Sequence, residues 1–369
     1  MKNLKKILAL LLTLLLVFSL AACARPAETP AEPEPAQTEA PAEPETPAEP
    51  ETPAGPETPA EEEQPVEQAT PGTLSIAALK GPTAMGLIKL MQDGESLRED
   101  GSGYVYDFTL AGSADEVTPA LIKGELDMAC VPANLASVLY NKTEGAIEVL
   151  AVNTLGVLYI VEKGEAVQSM EDLKGQTIVA AGKGSTPEYA LRYLLTENGI
   201  DPDTDVTIDW KNEHSECVAA LASGQATIAL LPQPFVTVAQ TKIEDLRMAL
   251  DLTAEWDKLD NGSGLITGVI VARREVAEAD PEGINWFLEA YAGSVDWVNA
   301  NTADAAALIG EYGIVDAAVA EKALPYCNIV CITGQELHDK LSGYLQVLFD
   351  AEPASVGGTL PADDFYYVG

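Results

Sequence analysis

Two stretches one hundred residues apart decide the fold: "ALIKGELDMACVP" at residues 120–132 and "ALASGQATIALLP" at residues 220–232. Each begins with Ala-Leu, stops a helix at Gly124 or Gly224, and runs through a small apolar strand to Pro132 or Pro232. Working outward keeps the same spacing. Upstream, "YDFTLA" from Tyr106 stands level with "VTIDWK" from Val206; downstream, "IEVLAV" from Ile147 stands level with "RMALDL" from Arg247. Further back, Lys80-Gly81-Pro82-Thr83 pairs with Lys183-Gly184-Ser185-Thr186 after a small register change. A fixed period of this kind marks a structural unit used twice.

Each copy reads as strand, loop, helix, strand, helix, strand. That alternation implies an α/β fold with two lobes, each a mostly parallel sheet flanked by helices and built from right-handed crossovers. In the first copy Leu74 to Ala78 is a strand and Ala84 to Met91 an amphipathic helix. In the second, Thr177 to Ala181 is the strand, Thr186 the N-cap, Pro187 the first helical residue and Asn198-Gly199 the stop. Ser113 and Glu116 have the spacing of a capping box. Pro119 within the following helix predicts a late start or a kink.

The chain opens with Lys2, Lys5 and Lys6, an apolar and small-residue run from Ile7 to Ala22, and then Cys23. The run is short and ends in small residues, which predicts a cleaved leader over 1–22. Leu20-Ala21-Ala22-Cys23 looks like a bacterial lipobox, with lipid carried on the Cys23 thiol. Residues 23–72 form the tether: "AEPETP" recurs at 42 and 48 and "AGPETP" stands at 54. Such a composition buries too little apolar surface to offset its ordering entropy, so the segment is expected to stay extended.

The formal charge of the whole chain is −37. Without the leader lysines, Arg25 and the tether glutamates, residues 73–369 keep 17 basic and 45 acidic side chains, a charge of −28. So acidic a surface excludes a nucleic-acid partner. It leaves open an anionic ligand, because a cleft can hold a potential opposite to that of the whole. Cys130 and Cys217 sit in apolar runs and read as buried thiols. Cys327 and Cys331 in "CNIVC" are either bonded or free. His214 and His338 are the only histidines and lie far apart. They support neither a metal cage nor a catalytic triad, and no cofactor is expected.

An α/β sheet offers ligand sites at the carboxyl ends of its strands, where helix N-termini supply N–H groups and a positive dipole end. One loop such as "LKGPT" could be a plain turn; two, in repeated lobes, suggest a clamp. Lys183 is followed by Gly184 where a phosphate-binding loop requires Ser or Thr, and "GKGSTP" lacks the third glycine of a dinucleotide fingerprint. A nucleotide-dependent enzyme is thereby disfavoured.

With the lipobox, the tether and the run "LKGQTIVAAGKGSTPEYALRYLLTENGI" from Leu173 to Ile200, the chain resembles the extracellular solute-binding proteins of ABC importers. Within them it is similar to the nitrate, sulfonate, taurine and thiamine-precursor group, over roughly Thr73 to Tyr312. That resemblance implies a two-lobed type II periplasmic-binding-protein fold with two crossing hinge strands, "GVLYIVEKGEAV" from Gly156 and "TGVIVARREVAE" from Thr267. Lobe 1 would take residues 73–161 and 269–369, and lobe 2 residues 162–268. It further implies a lipid-anchored monomer on the outer face of a bacterial membrane, handing a small solute to ABC permease subunits, and no enzymatic activity. Thr227 stands where the first copy has Asp127, a departure from the group's pattern expected to affect lobe packing.

Projecting the strand ends of both copies into one cleft gives Lys80, Gly81, Pro82, Thr83, Gly112, Ser113, Pro132 and Asn134 in lobe 1, with Asn153 and Thr154 as a floor. Lobe 2 answers with Gly184, Ser185, Thr186, Trp210, Asn212, Glu213 and Gln233. Trp210 would stack on a planar ligand or lie in the core. Glu213 in the cleft would favour an amine, guanidine or ring N–H. The polar loops and two lysines favour a sulfonate or carboxylate; Trp210, Glu213 and the tyrosines suit a heteroaromatic thiamine precursor. Two other readings stand beside the receptor: an enzyme of pyrimidine-precursor or menaquinone-pathway type on the same scaffold, and a lipoprotein that presents its ligand to a sensor.

Overall fold

The computed structural model describes residues 72–97 and 103–369. The expected leader, the lipid-bearing Cys23 and the tether up to residue 71 lie outside the described residues. The strands are β1 Gly72–Leu79, β2 Glu95–Leu97, β3 Gly103–Ala111, β4 Met128–Pro132, β5 Ile147–Leu155, β6 Leu158–Lys163, β7 Thr177–Ala181, β8 Thr207–Lys211, β9 Ile228–Pro232, β10 Leu246–Asp251, β11 Ile266–Arg273 and β12 Ile329–Ile332. The helices in the first half are α1 Pro82–Met85, α2 Ile88–Asp93, α3 Ala114–Lys123, α4 Ala133–Lys142 and α5 Thr186–Glu197. After them come α6 His214–Ala222, α7 Phe235–Lys242, α8 Leu252–Asp257, α9 Arg274–Ala279, α10 Pro281–Ala300, α11 Thr302–Glu311, α12 Ala317–Ala323 and α13 Gly334–Ala351.

The strands form two sheets, β12-β5-β11-β4-β1-β3-β2 in lobe 1 and β10-β6-β9-β7-β8 in lobe 2. The repeat is therefore a repeat of topology: the order β5-β11-β4-β1-β3 matches β10-β6-β9-β7-β8 strand for strand. In each copy the strand between β4 and β3, or between β9 and β8, namely β1 or β7, pairs in parallel with both neighbours. One strand of each five is reversed, β11 in lobe 1 and β6 in lobe 2, because it enters from the other lobe. All the repeated strands of a lobe thus point one way, and their carboxyl ends share one edge.

The sheets place the crossings a few residues from the expected lobe boundaries. Leu158–Val161 already lies in the five-stranded sheet, and Ile266–Gly268 in the seven-stranded one. The first crossing occupies Gly156 and Val157, and the second returns through residues 258–265 after α8.

Local structure departs from expectation at four places. The helix expected over Ala84–Met91 is split into α1 and α2 at Gly86-Leu87, where Tyr291 of α10 and Ile329 of β12 press against Gly86. Ser185, not Thr186, is the N-cap of α5: its hydroxyl donates back to Gly182 O at 2.8 Å, and Thr186 begins the helix. Ser113 holds the N-cap position of α3, yet its hydroxyl donates to Glu116 Oε1 at 3.2 Å instead of accepting a backbone N–H. Pro119 neither delays α3 nor divides it: the helix runs unbroken from Ala114 to Lys123.

One core cluster spans both sheets. Val149 and Val271 of lobe 1, Ile178 and Leu194 of lobe 2, and Trp256, Leu341 and Tyr344 belong to it together. The long C-terminal helix α13 is the bridge, packing on α4 and β5 on one side and on α5 on the other. Its amphipathic face, Leu337, Leu341, Tyr344, Leu345 and Leu348, is fully buried.

Candidate functional site

The carboxyl edges of the two sheets meet around Asn134. This residue is the second of α4, directly after β4, and is fully buried. Its Nδ2 donates to Ser355 O at 3.0 Å and reaches Gly184 O of lobe 2 at 3.5 Å. Its Oδ1 accepts from the Thr186 hydroxyl at 3.4 Å. Asn134, Gly184 and Thr186 are thus brought together across the lobes, with Ser355 behind them. The Tyr344 hydroxyl lies beside Thr186: burial pushes its pKa up and the threonine works the other way.

Below this contact lies a polar floor in lobe 1. Asn153 and Thr154 end β5, both fully buried, and Thr154 pairs with Gly268 of β11, which also pairs with Pro132 of β4. Asn153 Nδ2 donates to Thr83 O at 3.3 Å, which orients the amide. Its Oδ1 has no partner, nor has the Thr154 hydroxyl or that of Thr267 beside Gly268. A Cβ on Gly268 would stand 2.6 Å from Asn153 Oδ1 and 2.6 Å from the Thr83 methyl. Glycine is needed there because two other chain segments approach that closely. Buried polar atoms without partners are rare in native proteins and point to an exchangeable water or ligand. Thr83 itself spends its hydroxyl on Leu79 O at 3.0 Å.

The remaining predicted residues separate into a rim and a scaffold. Lys80, Gly112, Ser113, Asn212, Glu213 and Gly184 are exposed. Glu213 occupies the N-cap position of α6 without capping it and accepts from the Ser215 hydroxyl at 2.9 Å. Gly81 and Pro82 form the turn into α1, and Ser185 caps α5. The Gln233 carboxamide turns inward, accepting from Thr237 N at 3.3 Å and from its hydroxyl at 2.9 Å. Trp210 is half-buried and packs against the main core, the second of its two readings.

His214 begins α6 with its ring 5.2 Å from Phe235 and its Nδ1 buried without a partner. Burial holds its pKa down to about 4, so the imidazole is neutral. Cys130 and Cys217 are buried free thiols whose pKa values burial pushes up to about 12 and about 11. Cys327 and Cys331 are free thiols as well. A pocket of about 810 Å³ between α5 and α13, lined among others by Tyr189, Tyr193, Asn261 and Gln346, contains none of the predicted residues.

Gly268, Thr267, Ser355 and Tyr344 escaped the sequence reading. Gly268 carried a usable signal, an isolated glycine inside the apolar strand "ITGVIVAR". Ser355 carried none. Among the described residues no group of His, Cys, Asp and Glu could hold a metal ion, and no helix is long and apolar enough to cross a membrane.

Two lobes with matching topology, joined by two crossings and meeting at the carboxyl edges of their sheets, define a two-lobed α/β binding protein. The family model described as ABC transporter, phosphonate, periplasmic substrate-binding protein matches residues 95–323, more than half of the chain. The chain belongs to that family of ABC-transporter substrate-binding proteins. Curated binding proteins of Brucella abortus and Brucella suis are each 25% identical to it over 199 residues, 54% of this chain and 59% of theirs. The chain therefore spans about three-fifths of the length of the curated relatives it matches. Among solved structures, an ABC transporter protein from Parabacteroides distasonis is 23% identical with a TM-score of 0.67, covering 80% of this chain and 98% of that one. The periplasmic aliphatic sulphonate binding protein of Escherichia coli is 18% identical, TM-score 0.64, covering 80% and 96%. The alkanesulfonate-binding protein of Xanthomonas axonopodis pv. citri, bound to MOPS, is 18% identical, TM-score 0.62, covering 80% and 96%. These likenesses show the fold.

Proposed function

We propose that the protein is a monomeric receptor, anchored through lipid on Cys23 to the outer face of a bacterial membrane, that encloses a small polar organic solute between its lobes and delivers it to the permease subunits of an ABC importer. Within the wider class we place it with the nitrate, sulfonate, taurine and thiamine-precursor receptors. The observation that carries the reading is the set Asn134, Gly184 and Thr186, contributed by both lobes and with Asn134 and Thr186 buried, above a floor of partnerless polar atoms at Asn153 and Thr154. Thr83, Asn134, Asn153, Thr154 and Thr186 would touch the solute, with Lys80, Gly112, Ser113, Asn212 and Glu213 at the mouth. Contacts made only when the lobes are together shift the population toward the closed form.

The test is thermal unfolding of the purified protein against sulfonates, carboxylates, amines and pyrimidines, with native mass spectrometry of the protein as isolated. A ligand at one hundred times its dissociation constant stabilises by about 2.7 kcal/mol. At least one probe should shift the transition, or a small molecule should be found bound. A flat panel together with an empty protein would sink the proposal.

A further inference from the structure

Two consecutive carbonyls of the first crossing are held by opposite lobes. Gly156 O accepts from Asn328 Nδ2 at 2.6 Å, and Asn328 O accepts from Leu155 N at 3.1 Å. Asn328 leads directly into β12, whose Ile329 pairs with Thr154, so residues 155 and 156 are fastened to lobe 1. The next carbonyl, Val157 O, accepts from Gln233 N at 3.0 Å, and Leu158 then pairs with Pro232. Those partners belong to lobe 2. The peptide unit joining Gly156 to Val157 is rigid, so a turn of one lobe against the other at this crossing falls on the two backbone dihedrals of Val157. Asn328 makes its double contact from a φ of +44°, in the left-handed region that asparagine tolerates better than most side chains.

Gly156 answers to lobe 2 as well. It is not among the glycines with positive φ, so its backbone angle does not demand glycine. Space does: a Cβ there would stand 2.1 Å from Thr253 Oγ1, 3.1 Å from Thr253 Cβ and 3.2 Å from Leu265 Cδ2. Thr253 is the second residue of α8, and Leu265 directly precedes β11 at the end of the second crossing. Both crossings and a helix of lobe 2 therefore meet on one bare Cα. The Thr253 hydroxyl is buried there without a hydrogen-bond partner, so packing alone holds it. At the cleft, Asn134 already touches Gly184 and Thr186, and the lobes cannot turn further together. A side chain inserted at Gly156 can only turn them apart, and so close to the pivot a small displacement carries the far ends through a longer arc.

We infer, on the reading that the lobes close on a solute, that Asn328 and Gly156 are positioning residues of the hinge. Asn328 confines the bend of the first crossing to Val157, and the missing side chain of Gly156 admits Thr253 and lets the lobes come together. Both act on binding through the population of the closed form, with which apparent affinity scales.

The test is small-angle scattering of the full chain without added solute, after refolding from urea to remove any co-purified molecule. It compares the wild type, Gly156→Ala, and the double variant Gly156→Ala, Thr253→Ala. The second substitution takes away the nearest atom and breaks no hydrogen bond of the hydroxyl, which has none. Gly156→Ala should show a larger radius of gyration than the wild type with an unchanged circular-dichroism spectrum, and the double variant should return to the wild-type radius. A folded Gly156→Ala with the wild-type radius overturns the inference, and so does an enlarged radius that Thr253→Ala leaves in place. If Gly156→Ala does not fold, Asn328→Gly accepts the same backbone angle, keeps the bond from Leu155 N and loses only the one to Gly156 O. It should enlarge the radius too, and a wild-type radius there is equally fatal. Because no solute enters the measurement, a flat solute panel with an empty protein as isolated would remove the receptor reading and leave this result standing.

Discussion

At the strand position nearest the hinge, the two lobes differ by one side chain. In lobe 1 Gly268 stands opposite Pro132; in lobe 2 Leu158 stands opposite Pro232. The missing side chain leaves room for the Asn153 carboxamide and the Thr83 methyl, so the end of lobe 1 is polar. Leu158 is fully buried and fills the same place with hydrocarbon. The two lobes thus share their strand order and differ at this edge, one lined by polar atoms and the other packed with hydrocarbon. Substitution should separate the two roles. Leu158→Ala opens a cavity and should cost about 2–4 kcal/mol in urea denaturation. Gly268→Ala overpacks and should cost about 1–3 kcal/mol, and it should also weaken solute binding by displacing Asn153. Equal effects on binding from the two substitutions would break the contrast.

The second difference is sensitive to pH. Lobe 2 begins α6 with His214, where lobe 1 begins α3 with Ala114. The folded imidazole titrates near 4 against an ordinary value of 6.5, so between those values the unfolded chain binds a proton that the folded one refuses. Stability from this residue is complete above pH 6.5 and falls as the pH drops toward 4, by at most about 3 kcal/mol. His214→Leu should flatten the urea midpoint over that window. Parallel midpoint profiles for the two proteins would show that another group carries the acid sensitivity.

At the far end of the same strands, lobe 1 has a polar buttress that lobe 2 lacks. Asp127 accepts from Ser75 N at 2.9 Å, from the Ser75 hydroxyl at 2.8 Å and from Arg273 at 3.0 Å, tying β1, β4 and β11 together. Burial pushes its carboxyl up, and the bonds from Ser75 and Arg273 outweigh it to hold the pKa below the usual value. Thr227, its counterpart, is exposed. Asp127→Ala should cost about 2 kcal/mol and Thr227→Ala no more than about 0.5 kcal/mol by denaturant titration. The stability due to Asp127 is present above the ordinary carboxylate pKa and is lost as the pH falls through its lowered folded value, below the window of His214.

These contrasts also show what was legible before the structure was seen. The one-hundred-residue spacing placed the ends of β4 and β9 at Pro132 and Pro232, because a glycine stop precedes each strand and a proline closes it. The split of α1 from α2 was hidden, since it arises from Tyr291 and Ile329 arriving from distant elements. Polar loop composition pointed to the carboxyl edge of each sheet, yet it could not separate exposed Lys80 and Asn212 from buried Asn134 and Thr186. Burial there is imposed by the opposite lobe and by the C-terminal segment. The bond from Asn134 to Ser355 joins residues 221 apart in sequence, and no local pattern announces it.

Asn134 supplies a small effect on stability and the most direct test of how the lobes are held. Its counterpart one hundred residues on is Pro234, which has no side-chain amide, so the reach across the lobes is made from one side only. Asn134→Leu keeps most of the volume and removes the bonds to Ser355 O, Gly184 O and the Thr186 hydroxyl. The loss should be about 1 kcal/mol, because α13 still packs on both lobes and the released backbone carbonyls can recover water if the cleft opens. That opening is the specific consequence: solution scattering should show a larger radius of gyration for the variant than for the wild type without solute. Identical scattering profiles would mean that the helix alone keeps the lobes together, and that Asn134 serves the site only as a contact for what is bound there.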